Sequence, residues 1–285
     1  MPSSPHSATQ EARQAFGRRL REIRKDAGLT ARRLAEAAGW HESKVSKIEH
    51  GRQPPSDADL KAWALHCGAD EQTADLIAVS RGIEGAYVEW RRLERSGLRH
   101  AQESVLPLWE RTRRFRIYSP WLIPGPVQTA GYIRALLESI RDRRGLSDDI
   151  DAAVEVRLEK QERALRDPGR RQFAIILEES ALRYRIGDPV TMAAQLGHLV
   201  AMASLASISL GIIPATASRG ALWPVEGFFL FDGELVNVEL VSAHLTVTQP
   251  SEIAMYARTF ADLSAMAVRG GEARSLIAAA MASIG

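Results

Sequence analysis

Apolar residues recur every three or four positions in some stretches of this chain. In others they come in short unbroken runs, and the change of period divides the sequence. Phe16, Leu20 and Ile23, with arginines between them, predict a helix over residues 12–26. In the next stretch Leu34, Ala35 and Ala38 share one helical face. Thr30 stands before it as an N-cap whose hydroxyl accepts a free backbone N–H, and Gly39 sits where a left-handed residue ends the helix. Trp40 then plugs the space beside a second short helix, whose buried side carries Val45 and Ile48 three residues apart. Its opposite side holds Glu42, Ser43, Lys44 and Lys47. Pro54 and Pro55 end this segment, and Ser56 with Asp59 three places on opens a helix over 56–66 in capping-box fashion. A further helix over 71–81 makes five, ending near Ser80.

Beyond Gly82 the pattern loosens. Residues 87–95 read as helix-like, Ser96-Gly97 as a break, and 98–114 as a helix bent at Pro107. Short apolar runs at 115–118, 173–177 and 208–213 read as strands, and 227–231 and 235–240 as a hairpin turning at Asp232-Gly233. Helices are predicted over 129–141, 148–166, 178–185 (short), 188–203 with Asp188 as N-cap and Pro189 in the first turn, 251–267 and 272–284. The expected fold is a mainly α N-terminal helix-turn-helix domain followed by a larger α+β domain. Its parts are a disordered tail over 1–11, the helical domain over 12–80, a connector over 81–96 and the α+β domain over 97–285.

Two short helices joined at a glycine, the second with an unoccupied polar face, follow the logic of a helix-turn-helix whose second helix enters the DNA major groove. An ordinary helical hairpin has the same outline. The order Thr, Leu-Ala, Gly, then Val-Ser-x-Ile-Glu-x-Gly and a following Pro resembles the helix-turn-helix of phage-repressor and Cro-like (XRE) regulators. That resemblance departs at His41, where a small N-cap residue is usual. It implies base reading by Glu42, Ser43, Lys44 and Lys47, since lysine donates to guanine, glutamate accepts from cytosine and serine does either. Thr30, Arg32 and Arg52 are candidates for phosphate contacts, which position a protein without reading sequence.

Net charge is only +2 over 285 residues, so attraction to nucleic acid must be local. It is: between Glu11 and Arg52 eleven Lys or Arg face six Asp or Glu, the kind of excess that neutralises phosphates. The arginine-rich stretch from Gly82 to Arg116 is expected as a connector with a solvated basic face, with a second phosphate-binding surface as the alternative. The single cysteine, Cys67, excludes an internal disulfide and a cysteine-rich zinc site, and reads as a small buried hydrophobe. The first residues have neither a basic start nor an apolar core, and the apolar run near 196–213 is interrupted by His198, serines and Gly211. A cytoplasmic protein without membrane association is expected.

A second resemblance rests on Trp109-Glu110, Ile123-Pro-Gly-Pro-Val-Gln-Thr-Ala-Gly-Tyr132, Arg157 through Gln161-Glu162, Leu177-Glu-Glu-Ser-Ala-Leu-Arg183 and Gln195-Leu-Gly-His-Leu199. In that order they resemble the large C-terminal domain of antitoxin-like XRE regulators of actinobacteria, the group that includes WhiJ-like regulators. Pro126 departs from the usual Leu of the Pro-Gly-Leu-Leu-Gln-Thr segment. The resemblance implies a transcriptional regulator paired with a small protein encoded nearby. A protein-binding antitoxin with only autoregulatory DNA binding is the alternative, and a small-molecule effector is a further option. Trp121, Gln128 and Tyr132 are the candidates for effector or partner contact, although a packed loop that orders the domain explains them equally.

Catalytic signals are weak. Glu178 and Glu179 are adjacent and point apart, His198 and His244 lack metal-spaced partners, and neither a phosphate-cradling glycine loop nor a nucleophile elbow is present. A non-enzymatic homodimer without cofactor or metal is the expectation.

Overall fold

The computed structural model describes residues 5–82, 87–89, 94–166, 170–220 and 222–284. Its contacts divide the chain into two compact units. One comprises Met1–Tyr87 with Thr246–Ile253, the other Val88–Leu245 with Ala254–Gly285.

Five helices build the first unit: α1 (Pro5–Asp26), α2 (Ala31–Ala38), α3 (Glu42–Glu49), α4 (Asp57–Cys67) and α5 (Thr73–Gly82). α1 starts at Pro5, where a disordered tail through residue 11 was expected. Proline's fixed φ suits a first helical turn, and the residues after it carry the chain into helix without needing an apolar stripe. The expected tail's residues 1–4 lie outside the described residues. Phe16, Leu20, Leu34, Val45, Ile48, Leu60, Trp63 and Leu76 form the core. Burying a side chain of this size contributes about 1.5–3 kcal/mol. The Trp63 indole N–H donates to Leu20 O at 3.1 Å, and its ring lies 6.1 Å from that of Trp40. Trp40 thus fills the gap between helices as its position suggested.

Two glycines make this packing possible. A Cβ on Gly17 of α1 would come within 2.6 Å of Ile48 O and 2.5 Å of Glu49 O at the end of α3. Gly51 has φ +66°, and its Cβ would meet the backbone of Arg13 and Gln14 below 3 Å. The Ile-Glu-x-Gly signature is therefore the place where α3 ends against α1.

The second unit holds all but Tyr87, Thr246 and Val247 of a mixed sheet of β1 (Tyr87–Glu89), β2 (Arg114–Ser119), β3 (Gln172–Glu178), β4 (Ile208–Ile213), β5 (Phe228–Phe231), β6 (Leu235–Glu239) and β7 (Ala243–Val247), in the order β1-β7-β6-β5-β2-β3-β4. β2, β3 and β4 are parallel, with Ile117 opposite Ile175 and Ile175 opposite Leu210; β5 runs antiparallel to both β2 and β6. The parallel pairs need helical crossovers. Between β2 and β3 these are α8 (Ala130–Arg144) and α9 (Ile150–Leu165), and between β3 and β4 it is α10 (Pro189–Met202). Two short helices, α6 (Leu98–Glu103) and α7 (Leu106–Arg111), lie between β1 and β2, and α11 (Pro250–Met266) and α12 (Gly270–Ala282) follow β7. The main core joins Phe115, Ile117, Phe173, Ile175 and Ile212 of the sheet to Leu196 and Leu199 of α10 and Ile277 of α12.

Several expectations are corrected here. The helix-like run over 87–95 contains a strand at Tyr87–Glu89, where Tyr and Val favour an extended chain; residues 90–93 lie outside the described residues. The helix expected over 98–114 is two helices, because Pro107 sits in the first turn of α7 rather than at a bend, and Arg114 already belongs to β2. The helix over 178–185 is only a 3₁₀ turn at Glu179–Leu182. β7 follows the predicted hairpin as an additional strand. The hairpin itself turns as expected, with Asp232 at φ 52° and Gly233 at φ 84°. Asp232 is held there by its carboxylate, whose Oδ1 accepts from Arg113 N at 3.0 Å and Arg114 N at 2.7 Å.

Candidate nucleic-acid interface

The helix-turn-helix is assembled from local bonds. Thr30 Oγ1 accepts from Arg33 N at 3.1 Å, and Gly39 closes α2 at φ 67°, ψ 33°. His41 caps α3: its Nδ1 accepts from Ser43 N at 3.2 Å and lies 2.8 Å from Ser43 Oγ. The imidazole thus does the work of the small residue usual there.

The two faces of α3 are held differently. Val45 and Ile48 are fully buried. Glu49, also buried, takes a two-pronged contact from Arg24 of α1, whose Nε donates to Oε1 at 2.6 Å and Nη2 to Oε2 at 3.0 Å. Arg24 Nη1 donates in addition to Leu29 O at 2.6 Å, at the entrance to α2. One guanidinium therefore ties α1, the α2 entrance and the end of α3 together, and such forked pairs are the geometrically specific ones.

Outward, Glu42, Ser43, Ser46, Lys47 and His50 are exposed. Three of these were expected from the sequence; Ser46 and His50 join them because they continue the same three-and-four spacing from Ser43 and Lys47. Lys44 sits differently. Its ammonium donates to Asp59 Oδ1 of α4 at 2.5 Å and lies 4.6 Å from the centre of the Trp40 ring. Asp59 also accepts from Ser56 N at 3.1 Å as half of the α4 capping box. Burial pushes the Asp59 carboxyl up, but the Lys44 and Ser56 hydrogen bonds outweigh it and leave the group below the usual carboxylate range. Of the phosphate candidates, Thr30, Arg32 and Arg52 are all exposed. Arg32 pairs with Glu36 at 2.9 Å along α2, an exposed pair that breaks readily when a phosphate competes.

In the second unit, the scattered sequence signatures meet around one loop, residues 123–129. Gln128 Nε2 donates to Ile123 O at 2.6 Å, and Ile123 N donates to Tyr132 Oη at 3.3 Å. Gln161 Nε2 donates to Pro126 O and Gln128 O at 2.8 and 3.0 Å. Gln195 Nε2 donates to Val127 O, while its Oε1 accepts from Thr129 N, both at 2.7 Å. Gln128 and Tyr132 are buried, and burial pushes the Tyr132 hydroxyl up to about 12. Both hold the loop closed. Trp121 is different: it is 55% exposed, with its ring 6.4 Å from that of exposed Tyr184. The three effector candidates therefore do not share one role.

Residues 103–279 match the family described as Domain of unknown function (DUF5753), well over half of the chain. The chain belongs to that family. Residues 15–77, ahead of the DUF5753 region, match the family described as Helix-turn-helix domain, which supports a DNA-binding regulator in general terms. No curated protein and no solved structure matches the chain.

The remaining polar signatures of the DUF5753 region also have structural partners. Glu178 and Glu179 stand at the start of the 3₁₀ turn and have separate partners. Buried Glu178 accepts from the Tyr118 hydroxyl at 2.7 Å and pairs with Arg219. Glu179 accepts from Ala215 N at 2.9 Å and pairs with Arg183; these bonds hold its carboxyl below the usual range. Burial lowers both His198 and His244. Among the described residues, no group of three or more His, Cys, Asp or Glu is placed to hold a metal ion, and no helix is long and apolar enough to cross a membrane.

Proposed function

We propose that this protein is a sequence-specific DNA-binding transcriptional regulator that acts as a homodimer. α3 enters the major groove and presents Glu42, Ser43 and Lys47 to base edges, while Thr30, Arg32 and Arg52 hold the phosphates. Lys44 braces the reading helix against α4 and Trp40. One observation carries this reading: α3 is locked on its inner face by Val45, Ile48 and the Arg24–Glu49 fork, yet its outer face is a continuous exposed polar stripe. A purely structural hairpin has no need of an outward face of this composition.

The α+β domain modulates operator binding through a small partner protein or a ligand, and the protein is a regulator rather than a catalyst. The test of the dimer is footprinting of full-length protein on DNA from upstream of its own gene, with sedimentation in parallel. Two protected major-groove segments one helical turn apart, from a species of twice the chain mass, are expected. A single protected segment from a monomer would overturn the dimer. A small protein co-purifying in equal amount, with operator binding dispensable for its capture, would replace modulation by the antitoxin reading.

A further inference from the structure

The inward stripe of α9 contains two residues that a core-facing helix does not ordinarily place there. Ala153, Val154, Arg157, Lys160, Gln161 and Ala164 recur at helical spacing, and Ala153, Val154 and Ala164 pack into apolar clusters. Between them stand two cations. Lys160 is only 8% exposed, and its ammonium lies 4.7 Å from the centre of the Trp109 ring. Arg157 donates to two neutral amide oxygens, Gln102 Oε1 at 3.2 Å and Gln128 Oε1 at 3.3 Å. Among the described residues no carboxylate lies within ion-pair distance of either. Buried Arg24 is paired with Glu49, and buried Arg171 donates to three backbone carbonyls, those of Glu110, Thr112 and Arg163; Lys160 has neither kind of partner among the described residues. Arg157 remains partly reachable by solvent although burial lowers its pKa.

We infer that Arg157 and Lys160, floored by Trp109, form a binding site for a small carboxylate. Two desolvated cations without a counter-ion are unfavourable, and an incoming anion relieves that directly. Glu239 of β6 acts on both through space without bonding to either, so with Lys160 protonated two positive charges are offset by one negative. A monoanion balances the remainder and a dianion does not. The planar fork of Arg157 suits a carboxylate, and the Lys160 ammonium supplies freely rotating donors. Because Gln128, on which Arg157 rests, also closes the 123–129 loop, occupancy is coupled to that loop. The site lies within the DUF5753 region and stands independently of whether α3 reads DNA.

A titration signature follows. Burial and neighbouring Arg157 lower the Lys160 pKa to about 7, with Glu239 opposing them; Tyr132 of α8 acts through space on Arg157, and Glu239 on His244 of β7. A bound carboxylate stabilises the ammonium, so binding takes up a proton near neutrality. Affinity therefore falls about tenfold from pH 6 to pH 8.

The experiment is calorimetric titration of the full-length protein with benzoate, acetate and inorganic phosphate at constant ionic strength. It is run in two buffers of different ionisation enthalpy, beside Lys160→Met and Arg157→Lys. Saturable carboxylate binding with proton uptake is expected, weakened at least tenfold in Lys160→Met and several-fold in Arg157→Lys. Lys160→Met should melt no lower than the parent, since it removes a buried unpaired charge. Failure of both carboxylates to bind the parent, unchanged binding in Lys160→Met, binding without proton uptake, or a preference for phosphate would each overturn the assignment. None of these outcomes bears on DNA binding.

Discussion

Arg24 and Glu49 show how much one residue pair can organise. Both are buried, and their fork joins the first, second and third helices. Glu49→Ala leaves a buried guanidinium without its partner and should destabilise the helical unit by about 3 kcal/mol, read by chemical denaturation. Gly17→Ala places a methyl against two backbone carbonyls and should cost about 1–3 kcal/mol in the same measurement. Asp59 makes a prediction in pH. Its folded pKa lies below the usual carboxylate value, so its contribution is fully present above about pH 4 and is lost as pH falls through the folded value. Asp59→Asn should therefore be less stable than the parent at pH 6, with the gap closing as pH approaches 3. A gap that stays constant with pH would mean that the Lys44 contact contributes nothing. None of these pairings was legible in the sequence. Their members stand 15 and 25 residues apart, and periodicity records which face is buried, never which charge lies opposite.

At the scale of elements, what is local was readable. Thr30 and Gly39 set the ends of α2, Ser56 and Asp59 the start of α4, and Asp188 with Pro189 the start of α10, because caps act within a few residues. The strand over 208–213 was readable because it is a short apolar run, and the Asp232-Gly233 turn because both residues tolerate positive φ. The short strands β1 and β7 were not, since three to five residues at the end of a sheet carry too little pattern. His41 as cap was read as a departure and functions as an N-cap through its ring nitrogen. His41→Ala should lower stability by about 1 kcal/mol by equilibrium unfolding, with a similar loss for Asp188→Ala in the second unit. The glutamine clamp on residues 123–129 has its own expectation. Gln161→Ala removes the donor shared by two loop carbonyls, and amide exchange in that loop should quicken while α12 keeps its protection.

For the molecule as a whole, the chain joins a helix-turn-helix to a DUF5753 domain, a division the sequence suggested from its change of period. The return of Thr246–Ile253 to the helical unit had no sequence signal, because tertiary contacts alone decide it. Charge is arranged to match: in a near-neutral chain, the stretch from Glu11 to Arg52 of the helical unit carries a local cationic excess, which favours phosphate there. The most direct measurement is fluorescence-anisotropy titration of the full-length protein against duplex DNA from upstream of its own gene and a scrambled duplex, over a range of salt. The parent is compared with Glu42→Ala/Lys47→Ala. Preference for the upstream duplex, log affinity falling linearly with log salt, and a double variant that keeps weak binding but loses the preference are the predicted results. Equal affinity of the parent for both duplexes, or a preference untouched in the variant, would contradict the assignment of α3 as the reading helix.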